Sequence, residues 1–267
     1  MKCSISILIW LMAVTQWTPA TMSAEIHNTR PPLRITVVYN NMTHTPGLTT
    51  AWGFAAVIEN DADVVLFDTG GDGPTLLANM ERLGIAPDSI SAIVLSHIHG
   101  DHTGGLDAFL ARQPNVMVYI PRSFPAEFRR SVEQRGARVE VVRGPRHLFG
   151  NLYSTGEMGE GTIEQALIVE STSGLVVITG CAHPGIVNIT RAASTYLGKD
   201  VYLLMGGFHL LGRQPEQIRL TVATLRQLGV RKVAPSHCTG DAAIALFRDK
   251  WAKDFIEGGC GAVIDVP

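Results

Sequence analysis

The chain alternates between two kinds of apolar pattern. The β-branched runs RITVVY (34–39), VVLF (64–67), AIVLS (92–96), VMVYI (116–120), VEVV (139–142), ALIVE (166–170), LVVIT (175–179), VYLLM (201–205) and KVAPS (232–236) read as strands. Between several of them lie GPTLLANMERLGI, SFPAEFRRSVEQRG, PEQIRLTVATLRQLGV and DAAIALFRDKWAKDF, whose apolar residues return every three or four positions, as in amphipathic helices. Each element leaves one apolar face to bury. The alternation therefore predicts an α/β protein whose sheets are covered by helices. A chain of 267 residues can bury a core of that kind.

The strand exits carry the chemistry. AIVLS runs into His97, LVVIT into GCAHPG with His183, VYLLM into GGFH with His209, and KVAPS into His237. Ligands of α/β sheets gather at the carboxyl ends of strands, so four strands that each end at a histidine can bring those histidines together. The densest segment is SHIHGDHTGG (96–105), where His97, His99, Asp101 and His102 form H-x-H-x-D-H. Imidazole and carboxylate donors suit zinc, iron or manganese when several converge. Spacing by two puts His97 and His99 on one side of an extended chain. A turn opened by Gly100 swings Asp101 and His102 round from another, an arrangement able to hold two metals about 3.5–4 Å apart. The following TGG predicts a tight turn into a helix near Leu106. By contrast DTGGDGP (68–74) lacks the Lys-Ser/Thr of a phosphate-gripping loop and reads as a turn.

H-x-H-x-D-H after an apolar strand resembles the signature of the metallo-β-lactamase superfamily, and VVLFDTG (64–70) resembles the strand and turn that precede it there. Taken in order, LSHIHGDHTGGL, VVITGCAHPGIVNI, GGFHL and PSHCTG are similar to one subgroup, named for a dihydropterin/ribofuranosyl-aminobenzene-phosphate synthase of methanopterin biosynthesis. The likeness runs from about Arg34 to the end of the chain. It implies an αββα sandwich of two mixed sheets covered by helices, in a single domain over 25–267. It also implies one or two divalent transition metals, zinc first, with manganese or iron as alternatives.

Carried over residue by residue, the resemblance makes His97, His99, Asp101, His102 and His237 metal ligands. Cys181 stands where the wider superfamily has a bridging Asp, and His183 follows two residues later. His183 is the favoured ligand with Cys181 its neighbour, although a thiolate competes if the metal is zinc. His97, His99 and His183 would surround one metal, and His102 and His237 would complete the second site. The superfamily's further ligand histidine is missing before ALIVE, where GTIEQALIVE offers Glu164 instead. Glu164 is a replacement ligand, a residue that supports the ligands from behind, or an ordinary exposed loop carboxylate, with one metal then held more loosely. His209 is a candidate ligand or the proton donor to a leaving group, a task suited to imidazole near neutral pH. Gly206 and Gly207 would let a substrate approach the backbone closely.

The reaction so implied is hydrolysis of an ester, amide or phosphoryl centre by a metal-bound hydroxide that Asp101 helps to orient. Two alternatives remain. One is a periplasmic β-lactam or lactone hydrolase, although Cys181 and Glu164 depart from the usual lactamase ligands. The other is a non-enzymatic metal- or small-molecule-binding protein on the same scaffold.

Composition bears on partners and compartment. A formal net charge of −2 leaves no basic footprint and argues against nucleic acid as the main partner, in favour of a small-molecule substrate. Lys2, the apolar run SISILIWLMAV and the stretch ending TPATMSAE follow the pattern of a signal peptide over 1–24, with cleavage after Ala20 or Ala24. The run is shorter than the ~20 residues of a spanning helix, so no stable span is expected after its removal. An exported, periplasmic or secreted protein is the expectation. N-terminal sequencing of the native protein should find Ala20 or Ala24 removed; an intact Met1 would refute it. Without Cys3 the chain keeps Cys181, Cys238 and Cys260, an odd number that indicates no disulfide framework.

Overall fold

The computed structural model describes Met1, residues 33–60 and residues 63–267; apart from Met1, the expected signal segment lies outside the described residues. In chain order the first strands are β1 (Leu33–Asn40), β2 (Phe54–Glu59), β3 (Val64–Phe67), β4 (Ala92–Val94), β5 (Met117–Pro121) and β6 (Arg138–Val142). They are followed by β7 (Arg146–Phe149), β8 (Leu152–Ser154), β9 (Leu167–Ser171), β10 (Gly174–Thr179), β11 (Val201–Gly207), β12 (Lys232–Ser236) and β13 (Val263–Val266). One sheet has the order β13-β1-β2-β3-β4-β5-β6 and the other β12-β11-β10-β9-β8-β7. Both are mixed. β3 to β6 run parallel in the first, and β10 to β12 parallel in the second.

The sheets face each other across a layer that includes Phe54, Phe67 and Val94 from one side and Val176, Ile178 and Met205 from the other. Each such side chain, fully buried, contributes about 1.5–3 kcal/mol. The outer face of the first sheet is covered by α1 (Gly73–Arg82), α3 (Leu106–Leu110) and α4 (Ala126–Gln134), through Leu76, Met80, Phe109 and Val132. The short α2 (Gly100–Thr103) lies just before α3. α5 (Ile186–Leu197), α6 (Pro215–Gln227) and α7 (Asp241–Trp251) cover the other sheet through Ile189, Val222 and Phe247. The result is the expected layering of helices, two sheets and helices.

Every strand read from the sequence is present, and β3 and β12 have the expected bounds. β2, β7, β8, β13, the single-turn α2 and α5 are additions. β7, β8 and β13 have only three or four residues, too short for a period to register. α5 does bury Ile186, Ile189, Thr190 and Ala193 at helical spacing, but it starts at Gly185 without a side-chain cap. Its first residues, IVNIT, are mostly β-branched and mask the period.

Register determines where the histidines emerge. Thr179 pairs with Gly206 and Gly207 with Ser236, so β10, β11 and β12 end almost level at one edge. Two cross-sheet ties bring the H-x-H-x-D-H loop to that edge. Gln165, just before β9, donates its backbone N–H to Ser96 O at 2.9 Å and its side-chain amide to Leu95 O at 2.9 Å. Buried Asn40, at the end of β1, donates to Ser236 Oγ at 3.0 Å.

Candidate metal centre

The loop after β4 carries His97 and His99, whose Nε2 and Nδ1 lie 3.2 Å apart. His183, from the loop after β10, adds a third ring, with centroids 4.8 Å from His97 and 4.9 Å from His99. On the other side, His237 Nε2 lies 3.3 Å and His102 Nε2 3.6 Å from Asp101 Oδ2. Cys181 joins both sides. Its Sγ stands 3.2 Å from His102 Nε2 and falls within 4.8 Å of ligand atoms of Asp101, His102 and His237, and of His97 and His183. The thiol expected to be a neighbour is thus central. Five candidate ligands read from the sequence (His97, Asp101, His102, His183 and His237) are gathered around it, and His99 joins through His97 and His183.

The residues fit a cation. Among the described residues, the buried side-chain nitrogens and oxygens that make no well-formed hydrogen bond are His183 Nε2, His209 Nδ1 and His237 Nε2, the last with only the Asp101 carboxylate 3.3 Å away, all in this cluster. Buried polar atoms are almost always satisfied, and imidazole lone pairs left over together are what a metal takes up. Burial and the surrounding His102, His183 and His99 push His97 far below the ordinary histidine range. Burial, His209 and His99 push His183 down to about 4. Both rings are therefore neutral donors at physiological pH. For Asp101, burial opposes ionisation, but the adjoining His237 and His102 outweigh it and hold the carboxyl well below its usual range.

Asp68 and Ser96 organise this chemistry, and the sequence reading assigned neither a role. Asp68 Oδ2 lies 2.7 Å from His102 Nδ1 and accepts the Ser96 hydroxyl at 2.7 Å, while Oδ1 accepts the Ser96 N–H at 2.7 Å. Ser96 Oγ is in turn 2.8 Å from His97 Nδ1. One buried carboxylate thus sets the ring orientation on both sides of the site, as carboxylate partners of metal-binding histidines do. Burial opposes the charge on His102, and the attraction of Asp68 outweighs it. Asn41 Oδ1 does the same positional work for His237, 2.9 Å from its Nδ1. The only advance signal was position: Asp68 directly follows a strand and opens a turn.

Of the expectations placed on Glu164, the exposed loop carboxylate is the one the structure overturns; the carboxylate supports the ligand-bearing loop from behind. It is fully buried, and its Oε1 accepts the backbone N–H groups of Gly180, Cys181 and Ala182 at 2.9–3.0 Å, with Oε2 accepting His183 N–H at 2.9 Å. The carboxylate is used up in clamping the loop that presents Cys181 and His183. Burial pushes its pKa up to about 7, with the His183 and Ala182 N–H groups and His102 working the other way.

Gly206 and Gly207 have an explanation within the fold. A Cβ at Gly206 would fall 2.1 Å from Thr179 O, and one at Gly207 would fall 2.4 Å from Gly180 O and 2.7 Å from Cys238 Sγ. Glycine is required there by the neighbouring strand and its loop.

His209 sits beside the cluster, its ring centroid 4.4 Å from His183. It also forms a group with Cys181 and Cys238. A hydrogen bond with Cys238 raises its pKa against the effect of burial. Asp68, Ala182, His209 and His237 all have positive φ, a strain that costs of order 1–3 kcal/mol each in a non-glycine residue and concentrates at functional sites. Cys181, Cys238 and Cys260 are free thiols.

Two facing mixed sheets covered by helices, with a histidine-rich cluster at one edge compatible with a divalent metal, define a hydrolase-like sandwich. The chain belongs to the metallo-beta-lactamase superfamily, whose pattern matches residues 53–183. It is 30% identical over 246 residues to the 7,8-dihydropterin-6-methyl-4-(beta-D-ribofuranosyl)-aminobenzene-5'-phosphate synthase of Methanocaldococcus jannaschii, covering 75% of this chain and 83% of that protein. Against the hydroxyacylglutathione hydrolase of Serratia proteamaculans, identity is 24% over 175 residues, 55% of this chain and 68% of that one. Among solved structures, Tm1679, a metal-dependent hydrolase of the beta-lactamase superfamily, superposes with a TM-score of 0.75 at 26% identity, over 88% of this chain and 99% of that one.

Proposed function

We propose that this protein is a metal-dependent hydrolase of esters, amides or phosphoryl compounds. The observation that carries the reading is the convergence of histidine, aspartate and cysteine side chains around Cys181, with the buried His183 Nε2 and His237 Nε2 left without a hydrogen bond. His97, His99 and His183 would hold one metal and Asp101, His102 and His237 a second, with Cys181 between them. A mixed nitrogen, oxygen and sulfur set favours zinc over manganese or iron, which thiolates suit less well. Such a metal supplies Lewis acidity and lowers the pKa of a bound water towards neutrality.

The chain's own residues supply the rest. Asp68, directly and through Ser96, keeps the His102 and His97 rings turned inward. Asp101 has Oδ2 within reach of His102 and His237, which leaves its other oxygen to orient a nucleophile. His209, beside His183 and outside the two ligand sets, donates a proton to the leaving group.

Chromogenic ester, phosphodiester and cephalosporin substrates test this. Ester or phosphodiester turnover should disappear with chelator and return with zinc. A metal-loaded protein that turns over none of them contradicts the reading, and turnover of the cephalosporin alone favours a lactamase. A second reading, joining of two substrates, is favoured by the likeness to the Methanocaldococcus synthase. In oxygen-18 water, hydrolysis labels the product, whereas a joining reaction leaves it unlabelled.

A further inference from the structure

A cavity of about 290 Å³ opens directly beside the centre, with His183 and His209 in its wall. Ile186 and Val187 at the start of α5, Phe208 and Leu210 around His209, and Leu220 on α6 make most of the remaining lining apolar. Arg213 also lines it, while no aspartate or glutamate does. This guanidinium is exposed, and among the described residues it takes part in no ion pair. Glu216, three residues on, is engaged by Arg219, whose Nε lies 3.1 Å away. Among the described residues, Arg213 is therefore the one permanent charge lining an apolar recess, without a counter-charge beside it.

We infer that the cavity is a substrate subsite for a small molecule with an apolar or flat body, and that Arg213 binds an anionic group on it, a carboxylate or a phosphate. The volume sits at the small end of the roughly 300–1,000 Å³ typical of ligand pockets, which limits the occupant to a compact body. The guanidinium fork matches either anion with two parallel hydrogen bonds. His183 and His209 mark the end where the reacting bond would lie, so Arg213 selects the substrate without entering the chemistry. The use of the subsite rests on the hydrolytic reading; the binding of anions does not.

The test is calorimetric binding of phenyl phosphate, phenylacetate and benzyl alcohol to the purified metal-containing protein, its Arg213→Ala variant and its Arg213→Lys variant. Arg213→Ala should weaken the anionic probes about ten- to a hundredfold and leave benzyl alcohol within about twofold, the scale of a lost charge-assisted pair. Arg213→Lys should recover part of the loss. The stronger of the two anionic probes identifies which group the subsite prefers, and comparison with Arg213→Ala separates that preference from binding at the metals. Equal losses for all three probes, or a wild-type protein that binds the anions no better than the alcohol, overturn the inference. Anion binding that depends on Arg213, in a protein that hydrolyses nothing, supports the subsite and counts against the hydrolytic reading alone. Hydrolysis with no dependence of anion binding on Arg213 does the reverse.

Discussion

Replacing His209 by alanine should lower turnover by about 10²–10⁴-fold, the usual worth of a positioned proton donor, while metal content stays near wild type. The reason is an allocation of ligands. Cys181 lies in three possible metal-holding groups, with Asp101, His102 and His237, with His97 and His183, and with His209 and Cys238. The first two groups, with His99 added, would supply enough donors for two ions. His209 is then left beside the centre, with its pKa raised by the hydrogen bond to Cys238 against burial. A raised pKa keeps the donor protonated to a higher pH than a free histidine, the sense an acid needs. Substrates with good leaving groups depart without a proton, so their loss should be much smaller. Kinetics on paired good and poor leaving groups, beside metal analysis of the same preparations, decide the matter. Loss of metal from His209→Ala would place His209 among the ligands, and equal losses on both substrates would end the acid role.

Glu164→Ala should be the most damaging change to the folded state outside the ligands. It removes the acceptor of four backbone N–H groups, those of Gly180, Cys181, Ala182 and His183. Each buried donor left without an acceptor costs about 1–3 kcal/mol. Water re-entering the space recovers part of this, so a net loss of about 3 kcal/mol is expected, lowering Tm by roughly 6–12 °C for a chain of this size. Metal affinity should fall as well, because the freed loop carries both Cys181 and His183. Glu164→Gln is the informative companion. Its one carbonyl oxygen can replace Oε1 and keep three of the bonds, while its amide then faces the His183 N–H. It should melt between the two and mainly loosen the metal beside His183. A Glu164→Ala protein that melts like wild type and keeps its metal would show that the clamp does not hold the loop.

Much of this arrangement is legible in the sequence because it repeats a rule. His97, His183, His209 and His237 follow apolar strand runs, and level strand ends turn that linear regularity into a cluster. What was not legible depends on pairings between distant segments. Asp68 precedes Ser96 by a whole strand-to-strand connection, and nothing local marks it as the anchor of His102. Glu164 could be seen to occupy a ligand's place, but that its oxygens are consumed by a loop some twenty residues later is a matter of tertiary geometry. Gly206 and Gly207 signal a close approach without saying by what. Only the adjacent β10 and its exit loop reveal what approaches. Arg213 has no local signature at all; it matters because α5 and α6 enclose an apolar cavity beside it.

The central claim is that the cluster around Cys181 binds metal, and elemental analysis of the purified protein combined with anomalous scattering from its crystals tests it most directly. About one to two equivalents of a transition metal, predominantly zinc, are expected, lost to a strong chelator together with thermal stability. The anomalous peaks should lie among His97, His99 and His183 and among Asp101, His102 and His237, with Cys181 Sγ within bonding distance of at least one, about 2.3 Å for zinc. A protein that is metal-free as purified, takes up none on incubation with zinc, and melts identically with and without chelator would contradict the account.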